Sequence, residues 1–378
     1  MMMLSNKRFV RVLALMLAAA SLCAGVGARA QQQQSQPPAA QQQKPSQKPD
    51  ETVDDDDVER VETDLTNVLF TATDRNKRFI TTIKQEDISV LEDGVPQQVF
   101  TFQRQVDLPL SLAILIDTSN SQERTLPEEK RAAQQFVDTV IRPSKDEVAV
   151  LTFTGETTLE QGLTGSASRA RRAIDRVEFQ PPSGYIGGGL VVTTPGGVGG
   201  GTPPISGDNQ NRAGSTAIWD SIWVTSREVL SETSDKTRRA IILLTDGDDT
   251  SSRMKLNEAV DSALKADAII YAIGIGDSFS FSGVDEGSLR KITERTGGRA
   301  YFPRNEEDLR SAFAQIQDEL REQYLIAYSP SNKAKDGTFR KVVIDVKDPE
   351  LRKNLKLTYR QGYFARSVVE AKPVKRKQ

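Results

Sequence analysis

Four near-continuous apolar runs stand out along the chain: Leu110 to Ile116, Val148 to Phe153, Ala240 to Thr245 and Ile269 to Ile275. Runs without alternation are the mark of strands covered by helices on both faces. Helical periodicity fills the gaps between them. One helix is expected from Pro127, with Ala132, Ala133, Phe136, Val137 and Val140 on one face; a second runs from Thr216 through Trp219 and Ile222 to Leu230. A third carries Leu256, Ala259, Val260 and Ala263. A fourth lines up Leu309, Phe313, Ile316 and Leu320 behind Asn305 as its cap. Thr157 to Leu163 follows Phe153 so closely that it reads as an antiparallel edge strand. The expected fold for 108–323 is α/β: a doubly wound, mostly parallel sheet with one antiparallel edge strand.

On either side the pattern changes. Residues 60–107 and 324–366 carry strand signals: Val61 to Thr73, Ile88 to Leu91, Val99 to Phe102, Tyr324 to Tyr328, Phe339 to Val346 and Leu355 to Tyr359. Asp93-Gly94 between Ile88–Leu91 and Val99–Phe102 signals a hairpin, and Lys335-Asp336-Gly337 a turn. Neither flank has enough strands for a core of its own. The expectation is one small β-domain built from both ends, with the middle inserted into it. Residues 181–214 interrupt the middle with Gly187-Gly188-Gly189, Gly196-Gly197 and Gly199-Gly200-Gly201. They read as a Gly-rich loop, and no Gly-Lys-Ser/Thr follows to make it a Walker-type phosphate loop.

The first 59 residues read as processing and tether. Lys7, Arg8 and Arg11 precede the apolar stretch Val12 to Val26, and Ala28-Arg29-Ala30 supplies a small-x-small cleavage site. That is the form of a signal peptide over 1–30, and it makes the chain exported, periplasmic or secreted. The one cysteine, Cys23, lies inside it, with Leu22 where a lipid anchor needs a small residue. Residues 31–59, Gln/Pro-rich and then acidic through Asp54–Asp57, cannot bury enough apolar surface to order themselves. Residues 367–378 read as a solvated basic tail. No transmembrane segment is expected after signal cleavage.

Composition narrows the chemistry. Fifty Lys and Arg balance 52 Asp and Glu, which leaves no electrostatic case for nucleic acid. The chain has no histidine. It therefore lacks the usual general base and the usual transition-metal ligand, so a bound metal has to be held by oxygen.

Asp117-Thr118-Ser119-Asn120-Ser121 follows the first apolar run. Asp-x-Ser-x-Ser alone arises by chance in roughly one chain in ten of this length. Its place beyond the carboxyl end of a strand is what gives it weight, because ligands collect there in open α/β sheets. The run Ala240 to Thr245 delivers Asp246 to the same edge, and Thr216 at a helix start brings a third hydroxyl. Two carboxylates and three hydroxyls make an oxygen-lined cup for a hard cation. Each residue also has an ordinary reading: Ser119 and Ser121 as helix caps, Thr216 as a helix opener, Asp246-Gly247-Asp248-Asp249 as a turn. Asp248 and Asp249 adjust the field around such a site, Asp220 is expected on a helix surface or behind the ligands, and Asp277 in a loop at the same edge.

With those residues in order, the middle resembles the von Willebrand factor type A fold. Asp117, Ser119, Ser121, Thr216 and Asp246 match its metal-ion-dependent adhesion site at all five positions. Ile88 to Gly94 and Tyr359 to Phe364 resemble the ends of the related family first described in acidobacteria. The resemblance implies an exported binding module, not an enzyme. In it a divalent cation, Mg²⁺ with Mn²⁺ or Ca²⁺ as alternatives, coordinates an Asp or Glu carboxylate of a protein partner. Two other classes stay open on the residues alone: an envelope protein with a purely stabilising metal, and a metal-assisted hydrolase.

Overall fold

The computed structural model describes residues 65–104, 107–180, 215–234, 236–276 and 283–367. The segments read above as signal peptide, tether and Gly-rich loop, together with Asp277 and all but the first residue of the segment read as basic tail, lie outside them.

The central sheet is six-stranded. In chain order its strands are β5 (Leu110–Asp117), β6 (Glu147–Phe153), β7 (Thr157–Thr164), β8 (Arg238–Thr245), β9 (Ala268–Gly274) and β10 (Ala300–Tyr301). Their order across the sheet is β10-β9-β8-β5-β6-β7. All neighbours are parallel except β6 and β7. The apolar runs are buried on both faces because each face has its own helices. Leu112, Ile114 and Ile116 of β5 pack with α1 (Leu126–Val140), α2 (Ala167–Arg176) and α6 (Glu306–Arg321). Ala113 and Leu115 of the same strand pack with α3 (Ile218–Val224), α4 (Leu256–Lys265) and α5 (Glu286–Thr296). Each fully buried Leu or Ile contributes about 1.5–3 kcal/mol, which outweighs any local preference of these short strands.

The β-domain draws on both flanks. One sheet has the order β13-β1-β11-β4, from β1 (Thr66–Thr73), β4 (Val99–Arg104), β11 (Tyr324–Tyr328) and β13 (Lys356–Tyr359). The other has the order β14-β12-β2-β3, from β2 (Ile88–Glu92), β3 (Val95–Gln97), β12 (Phe339–Val346) and β14 (Gly362–Phe364). Val68, Phe70, Val90, Tyr324, Tyr328, Val342 and Ile344 share one core, so neither flank can bury its apolar face without the other. A further helix, α7 (Pro349–Asn354), links β12 to β13.

Three sequence expectations change. The hairpin at Asp93-Gly94 pairs β2 with β3, not with Val99–Phe102. Asp93 and Gly94 both have positive φ, and a two-residue turn of that kind pairs the residues directly beside it, Glu92 with Val95. β4 then crosses to the other sheet and pairs with β11. α1 begins at Leu126, with Pro127 inside its first turn. The helix expected from Thr216 begins at Ile218, with Ala217 at its N-cap, and its end from Thr225 to Leu230 widens to a π-helical turn. Asn305 does cap α6, its side chain accepting the Asp308 amide at 2.8 Å.

The β-domain docks on α5 through the turn between β13 and β14. The Gln361 amide donates to the Arg295 carbonyl at 3.1 Å. Gly297 ends α5 with φ +88°, and a Cβ there would collide with the Arg360 amide. The Arg360 guanidinium reaches Asp267, ahead of β9, and the Asn67 carbonyl of β1.

Candidate metal centre

β5 and β8 run side by side and parallel, so both end at one edge of the sheet with Asp117 and Asp246. Asp117 is fully buried. Its Oδ1 accepts the Ser119 amide at 2.9 Å, and its Oδ2 accepts the Thr245 hydroxyl at 2.6 Å. The Ser119 amide bond turns the chain so that the next hydroxyls converge. Ser119 Oγ and Ser121 Oγ stand 3.3 Å apart, and the Gln122 amide donates to Ser121 Oγ at 3.4 Å. Gln122 also donates to the Ile275 carbonyl at 3.1 Å, which ties this loop to the segment after β9.

Neither serine hydroxyl is used as a helix cap. The short 3-10 turn that starts after Ser119 has no side-chain cap bond, and α1 begins five residues beyond Ser121. Thr216 reaches the same loop cluster by a different route. Its amide donates to the Thr250 hydroxyl at 2.9 Å, and its carbonyl accepts the Thr250 and Ser251 amides at 2.9 and 3.0 Å. Thr216 is therefore pinned, backbone to backbone, on the loop that Asp246 opens. It is 5% exposed and is not the helix opener its sequence suggested.

The acidic residues beside the cup have separate tasks. Asp246 Oδ1 accepts the Asp248 amide at 3.1 Å, closing the turn around Gly247, whose φ is +88°. Asp249 accepts the Ile218 amide at 2.7 Å and the Ser252 hydroxyl at 2.5 Å, so it caps α3 from the neighbouring loop. Asp220 faces back from α3 and accepts the Arg253 and Met254 amides at 3.0 and 2.8 Å. Asp220 and Asp249 thus lock the start of α3, two residues after Thr216, to the loop 246–254.

The electrostatics of the cup are unbalanced. Burial pushes the Asp117 carboxyl up to about 7, and the like charge of Asp246 adds to the rise. Asp246 is itself raised by burial, against the Ser121 hydroxyl and the Asp248 amide, which hold it down. Behind them, on α1, Glu129 is fully buried and neither of its carboxylate oxygens has a well-formed hydrogen bond. Burial pushes it up to about 8, against the nearby Thr125 hydroxyl, and Asp117 and Asp246 add to the rise. No salt bridge to Lys or Arg reaches Asp117, Asp246 or Glu129 among the described residues. Glu129, Gln122 and Thr245 were not legible as part of the site. Thr245 and Gln122 sit one residue from a named ligand, whereas Glu129 lies in the first turn of α1, where an acidic residue is ordinary.

The donor set suits a hard divalent cation: oxygen atoms only, two of them carboxylates, with hydroxyls not committed to capping. Among the described residues no group of three or more acidic side chains is gathered for a metal. The cup combines two carboxylates with hydroxyls instead.

The fold and the cup together define an α/β domain with an oxygen-lined site at its carboxyl edge. Residues 206–315 match the family model of the von Willebrand factor type A domain, and the chain contains such a domain. The match takes in Thr216 and Asp246; Asp117, Ser119 and Ser121 lie ahead of it. No curated protein matches the chain. Among solved structures it is similar to a von Willebrand factor type A protein from Catenulispora acidiphila, at 14% identity over 82% of this chain and 76% of that one, TM-score 0.43. It is also similar to a conserved hypothetical protein BatB from Bacteroides thetaiotaomicron, at 17% over 56% and 100%, TM-score 0.40. A third likeness is to proximal thread matrix protein 1 from the mussel byssus with a zinc-occupied MIDAS motif, at 15% over 58% and 49%, TM-score 0.42. Among the described residues no helix is long and apolar enough to cross a membrane.

Proposed function

We propose that this chain is an exported binding module. Its cup, Asp117, Ser119, Ser121, Thr216 and Asp246, holds a divalent cation, Mg²⁺ by preference, and presents it to an Asp or Glu carboxylate of a protein partner. One observation carries the reading. Two carboxylates are buried at one sheet edge, and among the described residues no basic side chain pairs with them. Burying like charges together is costly unless positive charge arrives from outside. A divalent cation supplies that charge, and its remaining coordination positions supply the attachment point.

The chain's own residues do the positioning. Thr245 and the Ser119 amide hold the Asp117 carboxylate in one orientation. Gln122 holds Ser121, and the Thr250 backbone holds Thr216. Among the described residues no paired nucleophile and base accompany the cup, and the chain contains no histidine to act as one, which favours binding over catalysis. The export element rests on the signal-like sequence of residues 1–30.

Calorimetric titration of Mg²⁺ and Mn²⁺ into wild type and Asp117→Ala tests the site: binding in the first and none in the second is expected. Equal affinity in both would reject the assignment. Capture of partners from envelope extract with Mg²⁺ and with chelator then tests the use of the metal. Capture that ignores the chelator would leave a stabilising ion and no adhesive role.

A further inference from the structure

The parallel sheet has a second edge, where β5, β8 and β9 begin, and the β-domain closes over it. A cavity of about 50 Å³ lies in that seam. It is lined from the central domain by Leu108, Arg238, Asp267 and Ile269 and from the β-domain by Leu69 and Arg360, with Lys236 at its side. Three cationic side chains, Lys236, Arg238 and Arg360, face one carboxylate, Asp267.

That carboxylate is already used. Asp267 pairs with the Arg360 guanidinium, which also donates to the Asn67 carbonyl. Arg238 donates to the Leu320 carbonyl at the end of α6, to Gln323 Oε1 at 3.1 Å and to the Leu108 carbonyl at 3.3 Å. Those partners are neutral. Among the described residues Arg238 and Lys236 pair with no carboxylate. Arg238 and Arg360 also each keep an Nε–H that is buried and has no hydrogen-bond partner. A buried N–H without a partner is uncommon in a folded protein and is a donor in search of an acceptor. Burial holds both guanidinium groups below their ordinary range, Arg360 to about 10; at Arg238 the like charge of Arg142 adds to the fall, and Asp146 and Asp107, at longer range, offset part of it.

We infer that this seam is a binding site for a small oxyanion of the phosphate or sulfate class, held by Arg238 and Arg360 with Lys236 at the side. The cavity is too small for a nucleotide or a peptide and of the right order for one tetrahedral ion. Arginine suits it, because its planar donors match oxyanion geometry. The occupant bridges the start of β8 and the turn after β13, so it fastens the β-domain to the central domain. It also sits against the end of α6 through Arg238. This site lies at the sheet edge opposite the cup and does not depend on the cup's metal.

The test is thermal unfolding of the full chain in inorganic phosphate, sulfate and chloride at constant ionic strength, with chelator present. Phosphate or sulfate is expected to raise Tm saturably, and chloride is not. Arg238→Gln is expected to weaken phosphate binding about tenfold or more. Because Arg238 also holds the end of α6, that variant can fail to fold. Lys236→Gln covers this case: its side chain is exposed and makes no ion pair among the described residues, so its fold is expected to be unchanged. Its phosphate affinity is expected to fall about two- to fivefold. A rise in Tm shared by chloride, no rise at all, or Lys236→Gln responding as wild type would each overturn the inference.

Discussion

Glu92 in the β-domain and Asp117 in the central domain are both buried carboxylates at the end of a strand, yet their surroundings are opposite. Glu92 accepts the Tyr328 hydroxyl at 2.8 Å and the Tyr363 hydroxyl at 2.9 Å, and Arg340, 2% exposed, stands 3.6 Å away. Its charge is answered inside the fold by residues from the other flank. Asp117 accepts the Ser119 amide and the Thr245 hydroxyl, and the Ser119 hydroxyl also favours its charge, but among the described residues no Lys or Arg pairs with it, and Asp246 and Glu129 are like-charged neighbours. A carboxylate answered by the protein holds the protein together. A carboxylate left for an outside charge is a site. Glu92, Tyr328, Arg340 and Tyr363 explain why Glu92-Asp93-Gly94 near one end and Tyr363 near the other carry signals of their own: they meet.

The hardest way to break this comparison is to remove the answering charge. Arg340→Met leaves Glu92 buried without its cation and is expected to cost about 3–5 kcal/mol in urea unfolding. Adding Glu92→Gln to that variant is expected to recover part of the loss. If Arg340→Met unfolds like wild type, Glu92 does not depend on its pair.

The matching change at the cup has the opposite sign. Asp117→Asn removes a carboxylate whose burial is uncompensated in the metal-free protein. The rise from 3.8 to about 7 corresponds to roughly 4 kcal/mol at most. The new amide NH₂ lacks an acceptor, so a gain of about 2 kcal/mol at pH 8 without metal is expected. Divalent binding is expected to disappear in the same variant. Destabilisation of the metal-free form at pH 8 would show that the charge is already answered.

A pH series sharpens the contrast further. Asp117 and Glu129 have folded-state values raised to about 7 and about 8, above those of the unfolded chain. Such groups contribute stability that is fully present below about pH 4 and is lost as pH rises through 7 and 8. Metal-free protein is therefore expected to lose stability between pH 4 and 8, and saturating Mg²⁺ to flatten that fall. Glu129→Gln is expected to remove the part of the loss nearest pH 8. A flat metal-free profile would contradict the buried, unanswered charge.

The smallest expected effect lies in the β-domain. Tyr363→Phe deletes one of two hydroxyl donors to Glu92 and is expected to cost about 1 kcal/mol, because Tyr328 and Arg340 remain. A much larger loss would place Tyr363, and not Arg340, at the centre of that network.

The sequence by itself determined the parallel strands, through apolar runs that no one-sided sheet would carry, and the helix faces between them. It also placed Asp117 and Asp246 at strand ends, since a strand's last residue and its loop are read directly from where the apolar run stops. Tertiary structure decided what pairing and neighbours alone can decide. Which strand joins Ile88–Glu92 depended on a two-residue turn, and the partner of Val99–Arg104 came from more than 200 residues away, in β11. Thr216 is held by backbone bonds to the loop that carries Thr250 and Ser251, not as a helix opener. Glu129 became part of the site's charge only because α1 packs its acid inward, and Glu92 became structural only because Arg340 and Tyr363 fold back onto it. The physical reason is common to these cases. Periodicity and turn chemistry are local and survive in the chain as written, whereas burial, desolvation and charge balance belong to the neighbours a residue acquires in three dimensions.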